Sequence, residues 1–222
     1  SAAGRTDAGV HAAGQAVSVA TSTNLSPRKL TLGLNAALPE DVVVRSVEAA
    51  DDDFHATRDA VSKRYRYALF NDRRRPLFLR RYVWHVPTPL DIEAMRRAAH
   101  VLVGKHDFAS FQSAGSARES TVRTILAAEI RCGGAGEGSR KAPRQEFPFL
   151  GASSEEEGLV CIDLEGDGFL YNMVRSIAGT LVKVGRGRRD DRWVRQVLAG
   201  RDRRLAGQTA PPHGLTLMSV RY

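Results

Sequence analysis

Near the start of the chain, Gly4-Arg5-Thr6-Asp7-Ala8-Gly9-Val10-His11-Ala12 has the makings of a reactive loop. Two glycines bracket a single carboxylate, Asp7, and Arg5 stands two residues before it. Glycine tolerates positive φ and lets backbone approach a ligand closely, so such a loop can present one side chain to a bound molecule. A nearby guanidinium keeps an aspartate ionised, the state that a carboxylate nucleophile requires. Taken alone, an Asp-x-Gly string also describes an ordinary polar turn, where both residues are common.

Charge indicates what such a carboxylate would meet. The chain of 222 residues carries 33 Lys and Arg against 25 Asp and Glu, a net +8 with a pI near 10.0. Arginine dominates, and its planar fork suits phosphate. A basic domain of this size points to a polyanion, nucleic acid being the commonest, against a protein basic only for solubility. Arg5, Lys63, Arg64, Arg66 and the run Arg73-Arg74-Arg75 are the candidate phosphate contacts. A run of like charge such as 73–75 is otherwise a solvated face.

Other classes fall away. Cys132 and Cys161 are too few for a disulfide scaffold, and the six histidines have no paired spacing, so no metal site is expected. No phosphate-loop fingerprint is present. With no apolar stretch near the ~20 residues of a span and no leader, the expectation is a cytoplasmic protein without a membrane partner. The first residues, Ser1-Ala2-Ala3-Gly4, lack an initiator methionine and run straight into the motif, which reads as a chain that has lost its beginning.

The elements that must position these residues follow from periodicity. Residues 15–19 and 42–47 read as strands, and 63–70, alternating basic with aromatic or apolar residues, as a firm one. Residues 82–86, 121–132, 159–165 and 215–222 complete the strands. Helices are expected over 29–38 after Ser26-Pro27, from Thr88-Pro89 to Gly104, over 169–184, and from Asp190-Asp191 to Leu198. Residues 133–158, rich in Gly, Ser, Glu and Ala, read as a flexible insertion; they carry −2, leaving +10 on the rest. Hairpins and helices in this mixture give an α+β protein with antiparallel sheet.

Further strings extend the opening motif in order. Leu34-Asn35-Ala36-Ala37-Leu38-Pro39, Asp53-Phe54-His55-Ala56 and Lys63-Arg64-Tyr65-Arg66-Tyr67 come first. His106-Asp107-Phe108 with Phe111, Thr121-Val122-Arg123-Thr124-Ile125, and Phe169-Leu170 with Met173-Val174-Arg175 continue them. Gly185-Arg186-Gly187, Ala210-Pro211-Pro212 and Gly214-Leu215-Thr216-Leu217 close the series. Together with the opening motif, this collinear set resembles the TruA family of tRNA pseudouridine synthases.

The resemblance implies the pseudouridine synthase fold: α+β, two similar α/β halves with mixed, mostly antiparallel sheet, and a central RNA-binding cleft. Residues 1–86 would form the half carrying the Asp7 loop, and 87–222 the half carrying the insertion. It implies isomerisation of uridine to pseudouridine in the anticodon stem-loop of tRNA by a homodimer. No cofactor is needed, because the leaving base is also the incoming one.

By resemblance Asp7 is the catalytic carboxylate, through attack at C1′, attack at uracil C6, or stabilisation of an oxocarbenium-like ribose. Glycosidases use two carboxylates, and no second one fits here. Tyr65 matches an active-site tyrosine that can stack on uracil and join proton transfer at C5; otherwise it is a half-buried strand tyrosine. Arg175 matches an arginine that pairs with the carboxylate; in an apolar helix it needs a buried anion or an escape to solvent. Leu217 resembles a residue packed against the flipped base, and core packing accounts for it equally well. His11 and His55 are expected to be structural. The target nucleotide must swing out of its stack.

Two departures stand out. Thr57 replaces an arginine common after Phe-His-Ala, and the strand and helix that precede the signature in the family are missing. The chain is therefore expected to be a fragment with an uncovered sheet edge open to aggregation. The rival class is an RNA-binding or chaperone protein that keeps the fold without catalysis, and a weaker one is a structural protein that is only incidentally basic.

Overall fold

The computed structural model of the chain describes residues 1–113, 115, 120–133 and 157–222. The 133–158 segment lies outside them except at its ends. The described residues fall into two compact units, Ser1–Gly4 with Ala16–Asp59, and Arg5–Gln15 with Ala60–Tyr222.

In the first unit α1 (Pro27–Ala37) begins with Pro27, whose missing N–H belongs to a position that needs no donor. Neither run expected as strand here forms one. Residues 15–19 contribute a single antiparallel bridge, Ala2 to Val17. In 42–47 the backbone of Val44 is paired by a side chain: its N–H donates to Asn35 Oδ1 at 2.7 Å, and its carbonyl accepts from Asn35 Nδ2 at 2.9 Å. A valine-rich run becomes a strand only when another strand supplies its hydrogen bonds, and at Val44 a side-chain amide takes that place.

His55 organises the end of this unit. Its Nδ1 accepts from the backbone N–H of Thr57 and Arg58, so the proton sits on Nε2, which donates to Ser1 Oγ at 3.0 Å. Thr57, the departure from the family pattern, donates its hydroxyl to the Ala2 carbonyl at 2.6 Å.

The second unit contains all the strands among the described residues: β1 (His11–Ala12), β2 (Ser62–Phe70), β3 (Trp84–His85), β4 (Gly104–Asp107), β5 (Val122–Cys132), β6 (Leu159–Gly166) and β7 (Leu215–Arg221). Their order is β1-β7-β2-β6-β5-β4, with β3 paired to the end of β2. The sheet is mixed: β1–β7 and β2–β3 are parallel, the other pairs antiparallel.

Alternation along β2 sets the two faces. Tyr65, Tyr67 and Leu69 enter the main core with Ile162, Leu164 and Leu217, while Ala68 and Phe70 enter a smaller cluster with Leu79, Val83 and Cys161. The main core is covered by α2 (Ile92–His100), α3 (Met173–Gly185) and α4 (Asp191–Gly200).

Helix starts differ from expectation. Asp91, not Thr88-Pro89, caps α2, its carboxylate accepting from Ala94 N–H at 2.9 Å. The helix ends at His100, and Gly104, expected as its terminator, opens β4 at φ 109 instead. The α3 helix begins at Met173, four residues late, because Asn172 takes the left-handed conformation at φ 60. Asp190 caps α4 as expected, accepting from Trp193 N–H at 2.9 Å.

Candidate active site

The Asp7 segment is held by a turn on one side and a short parallel pairing on the other. Val10 N–H donates to the Asp7 carbonyl at 2.9 Å, closing a turn with Gly9 at its third position. Gly9 lies at φ 83, which the turn requires and a side chain resists. A Cβ there would also lie 3.2 Å from Pro212 Cγ, so glycine lets the turn seat on the 210–212 segment. Immediately afterwards β1 pairs with β7, Ala12 opposite Leu217, and Ala13 N–H donates to the Leu217 carbonyl at 2.8 Å.

The same β7 residue aligns the phenol. Tyr65 lies opposite Leu217 on one side and Leu164 on the other, just past a register shift at Arg64/Tyr65. Tyr65 is 8% exposed, and its ring meets Phe169 edge-on at 5.1 Å. Burial, then the charge of Asp7, pushes its phenol above the usual tyrosine range, so it is a neutral O–H donor at physiological pH.

Arg175 comes from the first turn of α3. Its Nη1 lies 3.8 Å from Asp7 Oδ2, an ion pair between side chains 16% and 36% exposed. The guanidinium is fixed from behind: Nε donates to the Ala210 carbonyl at 2.8 Å and Nη1 to Asn172 Oδ1 at 2.6 Å. Asn172 Nδ2 in turn donates to Ser113 Oγ at 3.1 Å. An arginine held this way keeps its orientation without further loss of rotamer freedom.

The segment that carries Ala210 is clamped as well. Tyr67 donates its hydroxyl to the Pro211 carbonyl at 2.7 Å. Burial pushes the Tyr67 phenol strongly upward against the opposing influence of Arg175. Within α3, a Cβ on Gly179 would collide with the Gln208 carbonyl oxygen, so glycine there lets 207–210 lie flat on the helix.

Of the residues singled out from sequence, the structure thus gathers Asp7, Arg175, Tyr65 and Leu217 in one neighbourhood. Leu217 is fully buried. Arg5 is exposed, and Lys63 and Arg64 are half-buried. Arg66 is a correction: it is buried on the sheet face opposite Tyr65, with Nε 2.7 Å and Nη2 2.9 Å from the two oxygens of Asp163. Asp163 also meets Arg131, and Arg64 at 3.5 Å. Burial would raise that carboxyl, but Arg66 and Arg131 outweigh it and hold it below the usual range. Arg66 therefore secures β2 to β6 and does not face phosphate. Sequence reasoning missed the roles of Tyr67, Asn172 and Ala210; the alternate spacing of Tyr65 and Tyr67 was the one available signal.

A carboxylate on a turn, a clamped guanidinium from α3 and a buried neutral phenol on β2 thus come together in an α+β fold. Comparison with known proteins gives the lineage. Residues 98–222 match the family model described as tRNA pseudouridine synthase. The chain is 44% identical over 220 residues to the tRNA pseudouridine synthase A of Brevibacillus brevis, covering 99% of this chain and 80% of that protein. It is 45% identical over 222 residues to the protein of the same name from Geobacillus kaustophilus, covering 100% and 77%. The Thermoanaerobacter sp. protein of that name is 39% identical over 220 residues, covering 99% and 81%. The chain belongs to the tRNA pseudouridine synthase family.

Among the described residues no helix is long and apolar enough to cross a membrane. None of their His, Cys, Asp and Glu side chains form a group of three placed to hold a metal ion.

Proposed function

We propose that this chain isomerises uridine to pseudouridine in the anticodon stem-loop of tRNA, acting in the cytoplasm as a homodimer, with Asp7, Tyr65 and Arg175 as its catalytic residues. The carrying observation is the Asp7–Arg175 ion pair at 3.8 Å, with the neutral Tyr65 phenol in the field of the same carboxylate. In the reaction the N1–C1′ bond breaks, the uracil turns, C5 bonds to C1′, N1 gains a proton and C5 loses one. Asp7 works at the sugar–base linkage, by attack at C1′ or C6 or by stabilising positive charge on the ribose. Arg175, clamped by Ala210 and Asn172, pairs with the carboxylate and keeps it aimed. Tyr65 enters as an O–H donor and a stacking surface for the base, and Leu217, its register partner, completes an apolar wall. Arg5, Lys63 and Arg64 are the phosphate contacts. Residues 1–86 and 87–222 are read as the two halves of the enzyme.

Asp7→Asn keeps the shape and removes the charge. We expect it to abolish pseudouridine formation, mapped chemically or by mass spectrometry in treated tRNA, while RNA affinity stays within a few-fold. A wild-type protein that binds tRNA and yields no pseudouridine would establish the rival, a non-catalytic RNA-binding protein of the same fold.

A further inference from the structure

We infer that a cavity walled in part by the segment that seats the Asp7 turn binds a nucleotide of the substrate RNA flanking the extruded uridine. This rests on the tRNA reading above and adds a subsite to it. The cavity measures about 570 Å³ and is lined by Arg75, Leu77, Arg80, Trp84, His85 and His213 among others. Sites for single small ligands run from roughly 300 to 1,000 Å³, so one nucleotide fits.

Its chemistry is that of a base and its phosphate. Trp84 is fixed edge-on to Tyr67, ring centres 6.3 Å apart at 87°, and offers an aromatic surface that is already oriented. Arg75 and Arg80 stand exposed at the cavity, and Arg80 is steadied by Nη1 donating to the Leu77 carbonyl at 2.8 Å. His85 donates Nε2–H to the Asp72 carbonyl at 2.8 Å, which holds its ring in place at the cavity. The surrounding loop strengthens the case: residues 73–85 hold five arginines, no acid, and Phe78 at 79% exposure. Arginines interleaved with an exposed aromatic make a platform for single-stranded nucleic acid.

Position ties this cavity to the reacting centre. His213 in its wall follows Pro212, the residue on which Gly9 of the Asp7 turn sits. On the other side of that turn His11 donates Nε2–H to the Arg81 carbonyl at 2.9 Å and lays its ring on Tyr82 at 4.8 Å. The catalytic segment is thereby fastened to residues adjoining the lining on both sides, and a nucleotide bound here would fix the register of its neighbour at Asp7.

The test uses tRNA stem-loops in which each nucleotide next to the modified uridine is replaced in turn by an abasic residue. For the wild-type chain, one flanking position should weaken binding by roughly 5- to 100-fold, the range for loss of a stacked base. Arg75→Ala/Arg80→Ala, both at exposed positions and checked by melting curve for an intact fold, should bind intact RNA about tenfold more weakly, show a shallower salt dependence, and feel a smaller abasic penalty. Arg97→Ala, exposed on α2, should match wild type. Equal binding of every abasic RNA by the wild type, or an Arg75/Arg80 variant that behaves as wild type, would overturn the subsite. A wild type that shows the abasic penalty yet makes no pseudouridine would overturn the enzymatic reading and leave the subsite supported.

Discussion

Replacing Arg175 with methionine removes one charge from beside Asp7 and keeps a flexible unbranched stem in the first turn of α3. At the observed 3.8 Å, the Asp7–Arg175 attraction is about 4 kcal/mol for an effective dielectric near 20 and about 1 kcal/mol in bulk water. Asp7 is more than a third exposed, which moves the value toward the lower end. About 2 kcal/mol is a working figure, or roughly 30-fold in rate if the interaction is made in full at the transition state. The substitution also leaves the Ala210 carbonyl and Asn172 Oδ1 without their donor, a cost of about 1–3 kcal/mol in stability.

Single-turnover pseudouridine formation with enzyme in excess isolates the chemical step, and a parallel melting curve separates catalysis from folding. Arg175→Met should be at least about 30-fold slow with tRNA affinity within a few-fold. Arg175→Lys should recover only part of that, because an ammonium cannot reach Ala210, Asn172 and Asp7 in the arginine's fixed geometry. If folded Arg175→Met reacts within about threefold of wild type, the ion pair is not what readies Asp7, and the catalytic assignment of Arg175 fails.

Other expectations follow from the same geometry. Tyr65→Phe keeps the edge-on contact with Phe169 and loses only the hydroxyl, so single-turnover rate should fall on the order of 100-fold with melting temperature little changed. Asp163→Asn strands the buried Arg66, and chemical denaturation should register a loss of about 3–5 kcal/mol. In the wild type that pair favours the ionised Asp163, so its contribution is complete above the unfolded carboxyl's pKa near 3.8 and disappears as pH falls through the lower folded value; acid titration of stability reads it directly. Gly9→Ala meets both positive φ and Pro212, and should cost roughly 1–2 kcal/mol of stability together with a measurable loss of single-turnover rate.

The strong sequence signals were those that local chemistry enforces. The alternating run 63–70, the apolar strand before Glu165, the closing strand and the capped helix at Asp190 all appear where their patterns put them. In each, hydrophobic period or a cap fixes the element before any partner is chosen. Where a partner decides, local pattern misled: 42–47 has strand composition but is met by the Asn35 amide, and Gly104, a plausible helix stop, opens β4. Asp91 outcompeted Thr88-Pro89 as the α2 cap because its carboxylate sits at the reach of an N3 amide.

For the site, sequence determined which groups were available: one glycine-flanked carboxylate, a strand phenol, and an arginine in an apolar helix that needed either a buried anion or an escape to solvent. The family resemblance grouped them, and the tertiary structure supplies the contacts that bring them together. The junction is made by β1, two residues long and parallel to β7, which no periodicity could announce. It is completed by the left-handed Asn172 and by the 207–210 segment lying against Gly179, which turn Arg175 inward. The fate of Arg66 was equally nonlocal. An arginine beside a tyrosine reads the same whether it faces solvent or Asp163, and only the pairing of β2 with β6 distinguishes the two.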